Sequence, residues 1–154
     1  FTVGFLPMSH SIPESSSLVI DVAGDRLIHS GDFKIDMTPG VGEPYDPDVW
    51  AEVSKDGIKA LICDSTNVFS QHAGRSEATV GPEIEKLLGS AQGMVVATTF
   101  ASNVARVKTL ADAGERAGRS VVLLGRAMKR MVEASLETGV MKDFQPRGSA
   151  WYSA

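Results

Sequence analysis

The sequence predicts a mixed α/β chain, β-rich at the start and alternating between helix and strand afterwards. Two observations predict it. The first forty residues hold short apolar and β-branched runs separated by Gly, Pro and Asp breaks, the signature of strands and turns. From residue 46 onward, strand-length apolar runs alternate with stretches of helical period, which predicts βαβ crossovers with helices over a mostly parallel sheet.

Taken in order, Thr2 to Met8 is a strand broken at Pro7. Ser17 to Val22 and Arg26 to His29 flank Ala23-Gly24-Asp25 and read as a hairpin. Gly31 and Thr38-Pro39-Gly40 end this β part. Asp46-Pro47 is an N-cap followed by Pro at the first helical position, and Val49, Trp50 and Val53 share one apolar face up to Gly57. Ile58 to Cys63 reads as a buried parallel strand, with Cys63 an inert core residue. A helix is expected from Gly81 to Leu88, a strand from Met94 to Thr98, and a helix from Asn103 to Ala117 capped by Ser102. Ser120 to Leu124 completes the strands, and Arg126 to Thr138 is a helix stopped by Gly139.

Composition narrows the class. The chain has 154 residues, 43% hydrophobic and 22% charged, with mean hydropathy near zero, as in soluble globular proteins. With 15 Gly and one Cys it is neither collagen-like nor a disulfide scaffold. One cysteine cannot form an internal disulfide, so a reducing, cytoplasmic setting is expected. No apolar run approaches the ~18 residues needed to span a bilayer. A net charge of −4 by itself disfavours a nucleic-acid binder, but the charge is unevenly placed. Residues 1–100 carry 6 Lys+Arg against 14 Asp+Glu, and residues 101–154 carry 9 against 5. Such a split fits an acidic metal-binding part followed by a basic part that can face a polyanion; Arg106, Lys108, Arg126, Lys129 and Arg130 are the candidate phosphate-tracking cations. The chain opens on Phe1 rather than Met, and its tail from Arg147 has neither period nor cap, so a piece of a longer protein is expected.

Four polar clusters fall where strands end, the usual place for sites in α/β sheets. They are 9–15 around His10, 29–34 around Asp32, Asp64-Ser65-Thr66-Asn67, and 98–103 ending in Ser102-Asn103. A neutral imidazole at His10 is a ready ligand for a borderline metal. Gly31 lets the backbone turn sharply and aim the Asp32 carboxylate into a cleft. Two donors make half a metal site, since a catalytic zinc takes at least three protein ligands. Ser102 and Asn103 lie at a helix N-terminus, where free N–H groups favour phosphate, although capping alone also accounts for them. His29 reads as a hydrogen-bonding neighbour of the site and His72 as a surface residue.

His-Ser-Ile-Pro-Glu-Ser at 10–15, followed 22 residues after His10 by Asp32 in His-Ser-Gly-Asp-Phe-Lys, resembles two metal motifs of the metallo-β-lactamase superfamily. Asp64-Ser65-Thr66-Asn67 resembles the first acidic motif of its β-CASP branch. Gly-Asp-Phe-Lys-x-Asp-x-Thr-Pro at 31–39 and Phe-Ala-Ser-Asn-x-x-Arg-Val at 100–107 are similar to the ribonuclease J family within that branch. The resemblance implies the C-terminal part of an αββα sandwich over 1–90, the start of a β-CASP α/β domain over 91–146, and an irregular tail over 147–154. It implies that His10 binds one metal and Asp32 bridges two, Zn2+ or Mn2+. Asp64 would orient a histidine near the scissile phosphate, with Ser65, Thr66, Asn67, Ser102 and Asn103 as candidate RNA contacts. RNA is the implied partner, with no membrane and with homo-oligomerisation of the full-length protein.

The implied activity is RNA hydrolysis, 5′-to-3′ exonucleolytic and in part endonucleolytic. The family's His-x-His-x-Asp-His motif and its downstream histidines are absent, so the chain alone is expected to be inactive. Two competing readings are a superfamily hydrolase of a small ester or thioester and a non-catalytic α/β binding module. A small substrate, however, needs no basic track.

Overall fold

The computed structural model describes residues 1–142 and 144. Its contacts divide into two compact units: Phe1–His10 with Glu14–Arg75, and Ser11–Pro13 with the residues from Ser76 onward.

The first unit is built on a four-stranded mixed sheet of order β1-β2-β3-β4. Strands β1 (Thr2–Pro7), β2 (Ser16–Val22) and β3 (Asp25–His29) are antiparallel neighbours, and β4 (Ala60–Ile62) pairs parallel with β3. The β2–β3 hairpin closes through Ala23 and Gly24, both at positive φ (52° and 87°), as a primed two-residue turn requires. Asp21 and Arg26 face each other in the register and pair through two bonds of 2.7 and 2.9 Å. A third Arg26 bond reaches the Val53 carbonyl at 2.8 Å and ties the sheet to α1 (Pro47–Ser54). That helix starts as expected, with the Asp46 carboxylate accepting from the Asp48 and Val49 N–H groups and Pro47 at the first position. Together β3, α1 and β4 form the expected crossover. Leu6, Met8 and Ile28 are the buried apolar residues of this unit.

The expectation of a strand at 58–63 buried on both faces is corrected. β4 is three residues long and ends the sheet, leaving Leu61 and Ile62 more than half exposed; Cys63 is exposed rather than a core residue. An apolar run alone does not reveal whether anything covers it.

The second unit is helical among its described residues. A short 3-10 turn, Glu77–Thr79, leads into α2 (Val80–Ser90), with Pro82 in the first turn; α3 (Val104–Arg116) and α4 (Arg126–Glu137) follow. Val107, Ala111, Val132, Met141 and Phe144 form the core, with Val121, Leu123 and Met128 packed against it. Arg119 donates to the carbonyls of Leu88, Ala91 and Gly93 at 2.5–2.9 Å, satisfying acceptors at the C-terminal end of α2 that the helix itself cannot.

Two further expectations are corrected here. Residues 94–98 and 120–124 form no ladder; only Leu124 makes an isolated bridge. Their β-branched residues favour an extended backbone, but a strand exists only with a hydrogen-bonded neighbour. The cap of α3 is Asn103, not Ser102: its side-chain oxygen accepts from the Arg106 N–H at 3.0 Å. The expected tail at 147–154 lies outside the described residues. Among those described, no helix is long and apolar enough to cross a membrane.

Candidate functional site

The Asp32 and Asp64 clusters lie in the first unit, as do Ser9, His10, Glu14 and Ser15 of the His10 cluster, and each cluster starts at or just beyond the end of a strand. The chain leaves β1 at Pro7, and Ser9 and His10 follow directly. β3 ends at His29, and Gly31 turns the backbone at φ 62° before Asp32. A Cβ on Gly31 would lie 3.1 Å from the Ser16 carbonyl oxygen, so both the conformation and the space demand glycine. β4 ends at Ile62 and delivers Asp64 two residues later.

Hydrogen bonds join these strand ends. The Lys34 N–H donates to the Ser9 carbonyl at 2.8 Å, and the Ser15 hydroxyl donates to the Asp32 carbonyl at 3.3 Å, linking the His10 and Asp32 segments. The Asp64 N–H donates to the Ser30 hydroxyl at 2.9 Å, linking the third segment to the second. His29 Nδ1 accepts from the Gly31 N–H at 3.0 Å, so His29 is the neighbour that the sequence predicts; His72 is exposed, as expected.

Asp64 is where the segments converge. Its carboxylate accepts from the Thr66 hydroxyl at 2.6 Å and the Thr66 N–H at 2.8 Å. These two bonds hold its pKa below the usual carboxylate range; partial desolvation opposes them, and the Phe33 N–H and nearby His10 add to the lowering. A depressed pKa means that the ionised carboxylate stabilises this turn above the ordinary carboxylate range, and that the contribution is lost as pH falls through the lowered value. Thr66→Val removes the hydroxyl donor, so the Asp64 titration, followed by carboxyl NMR, is expected to move up toward the ordinary carboxylate range. An unmoved midpoint would refute the assignment of Thr66 as the main cause.

His10 is half-buried and Asp32 exposed. They offer an imidazole nitrogen and a carboxylate oxygen, donor types that Zn2+ and Mn2+ accept. Among the described residues no group of three or more His, Cys, Asp and Glu is placed to hold an ion. Ser65, Thr66 and Asn67 lie in the exposed turn after Asp64, closed by bonds from Val68 N–H to Ser65 O (3.1 Å) and Ser70 N–H to Asn67 O (2.9 Å).

In the second unit, Ser102 and Asn103 precede α3, and the Asn103 oxygen is committed to its cap. Three of the candidate phosphate-tracking cations are paired within the chain. Arg106 holds the buried Glu77 through two bonds of 2.6 and 3.0 Å, Lys108 pairs with Asp112 and Lys129 with Glu133. The sequence reading placed Ser9 and Ser30 in its polar clusters without giving them a role, and did not single out Glu77. Charge and residue type marked none of them, because their roles arise from buried contacts 25 to 34 residues away in sequence.

Residues 92–148 match the family model described as ribonuclease J, beta-CASP domain. The chain is 40% identical over 146 residues to ribonuclease J of Sinorhizobium meliloti, covering 95% of this chain and 26% of that protein. It is 37% identical over 149 residues to ribonuclease J of Corynebacterium glutamicum (97% and 20%) and 36% identical over 142 residues to that of Thermus thermophilus (92% and 25%). The chain spans about a quarter or less of the length of these relatives. A crystal structure of a protein of unknown function from Enterococcus faecalis V583 superposes with TM-score 0.63 at 16% identity, over 97% of this chain and 37% of that one, a likeness of fold alone. The chain is therefore similar to ribonuclease J over nearly its whole length, with the β-CASP domain model matching residues 92–148.

Proposed function

We propose that this chain is part of a metal-dependent ribonuclease that hydrolyses RNA phosphodiesters, acting 5′-to-3′ from an end and in part internally. The observation that carries the reading is the hydrogen bonding that joins the three strand-end segments, from Lys34 N–H to Ser9 O, from Ser15 Oγ to Asp32 O and from Asp64 N–H to Ser30 Oγ. His10 and Asp32 would contribute one nitrogen and one carboxylate to a two-ion centre. Such a centre, when bound, supplies hydroxide at neutral pH and offsets charge on the phosphate. Asp64, ionised and fixed by Thr66, orients a neighbouring imidazole as a hydrogen-bond acceptor. Ser65 and Asn67 in the first unit, and Ser102 and Asn103 in the second, offer hydroxyl and amide donors to RNA phosphates, while both Thr66 donors are held by Asp64 and that residue shapes the turn instead. The domain limits 1–90 and 91–146, cytoplasmic residence and homo-oligomerisation of the complete protein belong to the same reading.

The test is a chimaera in which this chain replaces the matching segment of the Sinorhizobium meliloti ribonuclease J. Cleavage of 5′-monophosphorylated RNA that requires Zn2+ or Mn2+ is expected, reduced about 100-fold or more by His10→Ala or Asp32→Asn. Undiminished cleavage by both variants would remove the metal-site reading. The isolated 154-residue chain is expected to give no product with either ion, because two donors cannot hold two ions. Robust cleavage by it would overturn that argument.

A further inference from the structure

Each of the two segments carrying a candidate metal ligand begins with a buried serine, and neither serine has a role in the chemistry above. Ser9 is 3% exposed and directly precedes His10; Ser30 is 4% exposed and precedes Gly31-Asp32. Each hydroxyl is used twice. Ser9 Oγ donates to the Lys34 carbonyl and accepts from the Asp36 N–H at 3.1 Å, gripping the chain on the far side of Asp32. Ser30 Oγ donates to the Gly31 carbonyl at 2.7 Å and accepts from the Asp64 N–H at 2.9 Å, joining the second segment to the third. The Ser30 carbonyl in turn accepts from the fully buried Ser17 hydroxyl at 2.6 Å, and its N–H donates to Ile62 O at 2.8 Å.

Irregular backbone inside a protein must find partners for its N–H and C=O groups. A hydroxyl can donate and accept at once, so one atom can satisfy two segments and fix the distance between them. An apolar side chain of similar size would fill the space but leave the direction of each segment unset. Ser9 and Ser30 therefore do for these loops what a ladder does for strands.

We propose that Ser9 and Ser30 are positioning residues whose buried hydroxyls hold the His10, Asp32 and Asp64 segments in the mutual geometry that metal binding and RNA cleavage need. The proposal rests on the ribonuclease reading for its functional consequence, and on the hydrogen bonds alone for its structural one.

The test uses Ser9→Ala and Ser30→Ala, with Ser135→Ala as control. Ser135 is also buried (4% exposed), but its hydroxyl bonds only within α4, to Met131 O at 2.6 Å. In the chimaera, Ser9→Ala and Ser30→Ala are expected to weaken Zn2+ affinity about 10- to 100-fold and to lower kcat with little change in KM for RNA. Ser135→Ala should leave zinc affinity intact. Ser9→Thr and Ser30→Thr keep the hydroxyl and are expected to retain more zinc affinity than the alanine variants, which separates a lost bond from a lost fold. In the 154-residue chain, amide exchange at Asp36 should quicken about tenfold in Ser9→Ala, and at Asp64 in Ser30→Ala, against unchanged rates in Ser135→Ala. Unchanged exchange at both amides, or zinc binding as tight as in the parent chimaera, overturns the proposal. A parent chimaera that neither binds zinc nor cleaves RNA instead overturns the ribonuclease reading, with the exchange rates still deciding whether the serines position these segments.

Discussion

Arg106→Ala is expected to lower the unfolding free energy of the chain by about 3 kcal/mol, read as a fall in the urea midpoint. The reason lies in the carboxylate that Arg106 holds. Glu77 is 8% exposed and receives both guanidinium bonds, at 2.6 and 3.0 Å, in the planar two-point geometry that suits arginine. Hydrogen bonding to Glu77 raises the Arg106 pKa further above its usual value, so the guanidinium stays charged at any working pH. Truncating Arg106 takes both guanidinium bonds away from a buried carboxylate, and the desolvation no longer offset outweighs the modest Coulomb gain of the pair itself. The Arg106 side chain is 32% exposed, which places the loss at the lower end of the roughly 3–5 kcal/mol range for broken buried pairs. Replacing both partners, Glu77→Met with Arg106→Leu, should recover most of the loss, because no charge is then stranded. The exposed Lys55–Glu52 pair provides the contrast: Lys55→Ala should change stability by about 0.5 kcal/mol or less. Equal effects of Arg106→Ala and Lys55→Ala would contradict this account.

The second large effect is expected at Gly31. Gly31→Ala should cost about 2 kcal/mol, from a left-handed backbone and a Cβ pressed against a carbonyl. The backbone sits at φ 62°, and the added Cβ would meet Ser16 O at 3.1 Å, an atom fixed in β2. Gly57 isolates the two contributions: it has φ 90° and nothing within 4 Å of where a Cβ would stand, so Gly57→Ala should cost about 1 kcal/mol, from conformation alone. Because the Gly31 carbonyl accepts from Ser30 and Asp32 follows directly, Gly31→Ala should also impair the chimaera's zinc binding, which Gly57→Ala should not. Identical costs at the two glycines would exclude the carbonyl contact.

These contrasts also indicate what a sequence can reveal. Local signals carried well: Asp46-Pro47 starts a helix, Ala23-Gly24 closes a hairpin, and Gly31 makes the turn assigned to it. Each depends on neighbours a few residues away. The misses depend on what lies across space. Met94 to Thr98 has the composition of a strand but no ladder partner among the described residues, and Cys63 follows an apolar run whose Leu61 and Ile62 stay more than half exposed. Ser102 and Asn103 are both good caps, and only the backbone geometry selects Asn103. At the candidate site, His10, Asp32 and Asp64 stand out in the sequence because their side chains advertise chemistry. Ser9 and Ser30 do not, because a serine looks the same whether it faces solvent or joins two buried loops.

The short β4 strand carries a consequence for how firmly the site is held together. The turn of a two-residue hairpin brings β2 and β3 into register, whereas β4 reaches β3 only across a crossover, with Leu27 pairing with Ala60. Closing so long a loop carries more entropy, and only three residue pairs oppose it. Unzipping those three pairs would free the Asp64 segment while leaving the β1–β2 and β2–β3 ladders intact. The opening free energy of the smallest ladder in the sheet thus sets an upper bound on the local stability of the assembled site.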